Sequence, residues 1–172
     1  NIMNRKRIYL CLAHMSGNEM KYIQDAFDTN WVVPLGPNVN GFEKDLENFV
    51  GQDKKVVALS AGTAAVHLAL LDCDVKAGDE VMVQSFTFCA SSNPIKYLGA
   101  KPVFVDSEKE TWNMDPQLLD QAIADRIEKT GKKPKAIVVV YLYGMPAKID
   151  EILQVANKYD IPLIEDAAEG LG

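Results

Sequence analysis

The stretch SAGTAAVHLAL sets Ser60, Gly62 and Thr63 where an apolar run gives way to a helical one. A small, pliant turn at a helix start leaves backbone N–H groups aimed at one spot, and the helix dipole adds partial positive charge there. Such a spot suits an anion, most economically a phosphate; Ser60 and Thr63 would equally serve as helix caps. Further on, SFTFCAS carries Phe86 and Phe88, two rings of the same parity about Thr87. They read either as core or as a flat plate for a planar ligand, a stack worth about 0.5–1.5 kcal/mol beyond area burial. Asp166 closes the apolar run IPLIED. A carboxylate so placed needs a cation or hydrogen-bond donors to offset its desolvation. A protonated pyridine nitrogen is one such partner, and the ion-paired bond keeps that ring electron-withdrawing. The plain alternative is an N-cap carboxylate for a following helix. Phosphate turn, aromatic plate and terminal acid together are more specific than any one of them.

These residues must be positioned by a scaffold, and its rhythm is legible. KVVALS, EVMVQS, KPVFVD, AIVVVYLYG and IPLIED are short runs rich in valine and isoleucine. Helical patterns lie between them at residues 63–71, 90–98, 116–127 and 148–159. Strands apolar on both faces that alternate with helices predict a mostly parallel sheet covered on both sides, a three-layer α/β/α sandwich. Ligands of such sheets bind where strands hand their carboxyl ends to loops, and the candidate residues all fall at those ends. Ahead of the sheet, residues 19–30 form an amphipathic pattern through Met20, Ile23, Phe27 and Trp31. The Pro-, Gly- and Asn-rich VVPLGPNVNG predicts a loop, and a second helix is expected over residues 42–50.

Composition narrows the function classes. The 172 residues carry a net charge of −6, which disfavours a nucleic-acid or anionic-membrane surface. No apolar run approaches the ~20 residues needed to span a bilayer. The basic-then-apolar start NIMNRKRIYLCLAHM is short, broken by His14 and without a small-residue cleavage site, so no signal peptide is expected. Asn1 and Ile2 precede a methionine and read as residues left by cloning. Cys11, Cys73 and Cys89 form no CxxC pair, which fits a reducing, cytoplasmic setting. With only His14 and His67 besides, no metal site is expected, and His67 reads as helix packing. Neither GxGxxG nor GxxxxGK[ST] occurs, so the sheet is not a dinucleotide or P-loop nucleotide binder.

The ordered series GPNVNGFEKDLENFVG, ALSAGTAAVHLAL, QSFTFCASSNPIKYLGAKPVFVD, YLYGMPAKIDEI and LIEDAAEGLG resembles the DegT/StrS family of pyridoxal-phosphate-dependent sugar aminotransferases. The resemblance runs from Tyr9 to the last residue. It implies the fold type I, aspartate-aminotransferase-like large domain over residues 51–172, entered by an N-terminal helix and loop segment over residues 1–50. On this resemblance Gly62, Thr63 and Ala64 hold the phosphate of pyridoxal 5′-phosphate, Phe88 stacks on its ring, and Asp166 pairs with the ring nitrogen. Glu169 stands at the position, often Gln or His, that reaches the ring hydroxyl or nearby substrate groups. Tyr141 replaces a common His and is given no role. The family's Schiff-base lysine and a phosphate-binding serine lie beyond DAAE, so the chain reads as the N-terminal part of an enzyme and inactive alone.

The implied reaction moves an amino group from an amino acid, L-glutamate, to a nucleotide-linked keto sugar for polysaccharide biosynthesis. LAHMSGNEMKYI and DAAE most resemble the branch that aminates a UDP-linked 4-keto-6-deoxy-N-acetylhexosamine, as in bacillosamine synthesis. The resemblance also implies a homodimer or dimer of dimers; the apolar Trp31, Val32, Val33 and Leu35 fit such an interface, or equally packing on a C-terminal domain. Two rivals share the scaffold: a pyridoxamine-phosphate-dependent sugar dehydratase with histidine for lysine, and a non-catalytic relative acting by binding.

Overall fold

The computed structural model describes residues 6–51 and 53–171, so the reading of Asn1 and Ile2 as cloning residues lies outside the described chain. The chain forms two compact units, Asn1–Ala58 and Leu59–Gly172.

The first unit holds helices α1 (Glu19–Asp28) and α2 (Pro37–Val50), neither of which buries a residue. The helix expected over 19–30 stops at Asp28 because Asn30 turns to φ 59° and Trp31 N–H closes back on Ala26 O at 2.8 Å. The loop expected through VVPLGPNVNG ends earlier than its composition suggests. Pro37 opens α2, where its fixed φ suits the first helical position and its missing N–H costs nothing.

The second unit is built on strands β1 (Glu80–Gln84), β2 (Lys101–Val105), β3 (Ala136–Val140) and β4 (Leu163–Asp166). All are parallel, in the order β2-β1-β3-β4. Alternate residues of each strand serve opposite faces. Val81, Val83, Ala136 and Val138 pack with Val66 and Leu70 of α3 (Gly62–Asp72) and Ile95 of α4 (Asn93–Tyr97). Met82, Ile137 and Val139 pack on the other side with α5 (Pro116–Thr130) and α6 (Ile149–Tyr159) through Leu119, Ile123, Ile152 and Ala156. That is the expected three-layer sandwich. Because β3 lies on the opposite side of β1 from β2, the strand order reverses between β1 and β3, the place where open parallel α/β sheets take their ligands.

The helices on the far face are well specified locally. Asp115 caps α5, its Oδ1 accepting the N–H groups of Gln117 and Leu118, and Gly131 ends it at φ 71°. Arg126 on α5 then clamps Glu80 at the start of β1 with two bonds of 2.8 Å.

Two expectations fail here. No strand covers residues 55–60: KVVALS has strand composition, but no described strand lies beside it to complete a hydrogen-bond ladder, and Val57 and Leu59 stay exposed. The helix expected over 90–98 is broken into a 3-10 turn, Cys89–Ser91, and the five-residue α4. Pro94 cannot donate the N–H that would carry one helix through the stretch.

Candidate active site

Helix α3 starts at Gly62 with Ala61 as its N-cap, and no side chain caps it. The capping alternative for Ser60 and Thr63 is therefore overturned. Ala61 O takes the N–H groups of Ala64 and Ala65, and among the described residues those of Gly62 and Thr63 have no acceptor. A Cβ placed on Gly62 would meet nothing within 4 Å, so the turn is open to an approaching group. His67, one turn on, packs edge-on to Tyr97 at 5.7 Å, in keeping with its reading as helix packing.

Phe86 and Phe88 follow β1 and are not core: Phe88 is 76% exposed and Phe86 49%. Phe86 leans edge-on against Trp112 with centroids 6.2 Å apart, and Trp112 is held at φ 62°. Phe88 is left as a free plate. Its carbonyl accepts the N–H of Ser91 at 3.2 Å, which curls the chain into the 3-10 turn. That turn brings the Ser91 hydroxyl 2.6 Å from Asp166 Oδ2.

Asp166 ends β4, opposite Val140 in register. It shares the parity of Ile164, which packs on the α3 side, so the carboxylate emerges on the same face as the α3 turn. Among the described residues its side chain takes no backbone N–H, and its hydrogen-bond partner there is Ser91. Glu165, one residue back, points the other way, where Tyr141 donates its hydroxyl to the carboxylate. Burial and the neighbouring Glu165 push the Tyr141 phenol above its ordinary range. The sequence left Tyr141 without a role; here it braces β3 against β4.

Glu169 is exposed and makes one local side-chain bond among the described residues. Its Oε2 accepts the N–H of Tyr143 at 2.6 Å, tying the tail of β4 to the 3-10 turn Leu142–Gly144. Sequence reasoning also missed a buried amide pair at the carboxyl ends of β1 and β3. Gln84 Nε2 donates to Asn113 Oδ1 and to Phe86 O, while Gln84 Oε1 accepts from Met114 N–H. Asn113 in turn holds Leu142 N–H and Met145 O. The ends of β1 and β3 and both flanking loops are thereby fastened together.

The exposed Phe88 and the Asp166 carboxylate stand at the carboxyl ends of β1 and β4 in a parallel α/β/α sandwich of fold type I. The family profile for the DegT/DnrJ/EryC1/StrS aminotransferases matches residues 13–172, and the chain belongs to that family. It is 53% identical over 167 residues to EpsN of Bacillus subtilis, whose name carries the provisional assignment pyridoxal phosphate-dependent aminotransferase. That match covers 97% of this chain and 42% of EpsN. The UDP-2-acetamido-2-deoxy-3-oxo-D-glucuronate aminotransferase of Pseudomonas aeruginosa is 44% identical over 138 residues, 80% of this chain and 36% of the relative. Among solved structures, NtdA of Bacillus subtilis with bound PMP superposes with a TM-score of 0.74 at 32% identity, over 88% of this chain and 34% of NtdA. The chain thus spans less than half the length of these relatives.

Proposed function

We propose that this chain provides the cofactor-holding face of an aminotransferase that moves an amino group from L-glutamate to a nucleotide-linked keto sugar in the cytoplasm. The observation that carries the reading is Asp166, emerging at the end of β4 beside the open α3 turn, one 3-10 turn from the exposed Phe88. The residues fit pyridoxal 5′-phosphate. The N–H groups of Gly62 and Thr63 have no acceptor among the described residues, and with the start of α3 they would bind the phosphate, Ala64 following in the same turn. Phe88 would fix the ring plane. Asp166 would hold a proton at the ring nitrogen through an ion-paired hydrogen bond. When bound, the group supplies an electron sink for amino transfer. Glu169 would reach the ring hydroxyl or nearby substrate groups, with Oε1 left by the bond of Oε2 to Tyr143 N–H.

The sugar we favour is a UDP-linked 4-keto-6-deoxy-N-acetylhexosamine, from the sequence resemblance at residues 12–23 and 166–169 and the UDP-sugar named for the Pseudomonas relative. The test is amino transfer by the whole protein from glutamate to that sugar, with Asp166→Asn alongside. A neutral amide cannot keep the ring nitrogen protonated, and losing such a preorganised partner costs about 10²–10³-fold in rate. Near-normal turnover by the asparagine variant would remove Asp166 from the mechanism.

A further inference from the structure

We propose that Ser91, backed by Thr87, is a positioning residue that orients the Asp166 carboxylate toward its ligand. Ser91 is 1% exposed, yet its hydroxyl is aimed out of the apolar layer at Asp166 Oδ2, 2.6 Å away. A carboxylate only accepts, so the Ser91 proton is committed to Asp166. The second contact of Ser91 Oγ, to Thr87 Oγ1 at 3.0 Å, must then be donated by Thr87. Proton counting fixes the direction of the chain: Thr87 to Ser91 to Asp166.

This arrangement does two things. It ties one oxygen, Oδ2, so that the side chain cannot rotate freely about its end, and leaves Oδ1 for a ligand. It also couples the acid to the plate. Ser91 N–H is bonded to Phe88 O, so the same short turn presents both the ring and the bracket. A planar ligand that stacks on Phe88 and meets Asp166 edge-on needs those two groups in fixed register, since misplacement by an ångström is costly. Thr87, Phe88, Ser91 and Asp166 are therefore one unit, although Ser91 and Asp166 stand 75 residues apart.

The inference rests on the cofactor reading above, and the experiment separates the two. In the whole protein freed of cofactor, binding of pyridoxamine 5′-phosphate is titrated by its fluorescence, alongside an analogue whose ring nitrogen is replaced by carbon. Ser91→Ala should weaken pyridoxamine phosphate about tenfold, the order expected for one bond to a charged group, and leave the carbon analogue unchanged. Thr87→Val, which removes only the outer hydroxyl, should show a smaller loss of the same kind. In an Asp166→Asn background the Ser91→Ala loss should vanish. Equal weakening of both ligands, or a loss that persists without the carboxylate, overturns the positioning role. If Asp166→Asn weakens binding while Ser91→Ala and Thr87→Val do not, the proposal fails and the cofactor reading stands. Absence of pyridoxamine phosphate binding by the unmodified protein would sink both.

Discussion

Gly144 and Glu169 meet backbone to backbone: a Cβ on Gly144 would sit 2.9 Å from the carbonyl oxygen of Glu169. The contact closes a small loop of interactions, because Tyr143 N–H already donates to the Glu169 side chain. The residue at 144 is also at φ 78°, in the left-handed region, so glycine is required there twice over. Gly144→Ala should destabilise the whole protein by about 1–3 kcal/mol, read by urea unfolding. Glu169→Gln, which keeps an acceptor for Tyr143 N–H, should be close to neutral in the same assay. Equal damage from both would mean that the carboxylate charge, and not its bond to Tyr143, is what the turn needs.

A second expectation concerns Gln84, fully buried at the end of β1. Its side chain serves Met114 N–H at 3.0 Å and reaches Val140 N–H at 3.4 Å while donating to Asn113. Gln84→Leu keeps the volume and orphans those partners inside the protein. The cost should be about 2–4 kcal/mol, since each unsatisfied buried group forfeits its desolvation. An unfolding midpoint unchanged by Gln84→Leu would show that the network is ornamental.

Why some of this was legible and some not follows from range. Valine-rich runs of residues and Ala/Leu-rich stretches carry their own periodicity, so the sandwich and the carboxyl-end placement of Asp166 could be read directly. KVVALS could not be resolved the same way, because strand composition becomes a strand only beside a neighbour. Pro37 sits in a stretch of loop composition, yet the same fixed φ that makes proline a turn former also starts helices. Phe86 and Phe88 left core and plate open, and only exposure decided between them. Gln84, Asn113 and Ser91 carry no local signal because the pairs that give them their roles, Gln84 with Asn113 and Ser91 with Asp166, lie 29 and 75 residues apart, a distance over which no local pattern operates.

Glu108 gives a pH dependence. Burial works against its charge, but the Thr111 hydroxyl, the N–H groups of Glu110 and Thr111, and Lys148 outweigh it and hold the carboxyl down to about 2. A depressed carboxyl stabilises the fold above its unfolded value, near 4.5, and that contribution is lost as pH falls toward about 2. Between those limits Glu108→Gln should flatten part of the stability profile of the whole protein. Parallel wild-type and variant curves through that window would show that Glu108 titrates as an ordinary surface acid.

The lysines of this chain should not anchor the cofactor. Lys148 lies 2.8 Å from Glu110 and 3.5 Å from Glu108, and the bond to Glu110 chiefly raises its pKa. Lys158 is held by both oxygens of Asp120 and is raised for the same reason. An amine must shed its proton to attack a carbonyl, and these ion pairs oppose that. Borohydride treatment of the whole protein with stoichiometric pyridoxal phosphate should leave every lysine of residues 6–171 unlabelled in peptide mapping. A stoichiometric adduct on Lys148 or Lys158 would contradict the site assignment.

The last expectation is assembly as a homodimer or dimer of dimers. In the first unit Trp31, Val32, Val33 and Leu35 are all exposed, Leu35 by 71%, and neither α1 nor α2 buries a residue. A run of four such residues is an apolar patch that water disfavours, and patches of this kind mark surfaces that meet other protein. Trp31 is partly fixed already, its ring closing over Gly36, so the patch presents a shaped surface and not a loose loop. Sedimentation of the whole protein at micromolar concentration should give at least a dimer. Val33→Lys with Leu35→Lys should move it toward smaller species, because burying two ammonium groups without partners is costly. A stable, active monomer in the unmodified protein would rule out a site shared between subunits, and the patch would then have to be covered from within one chain.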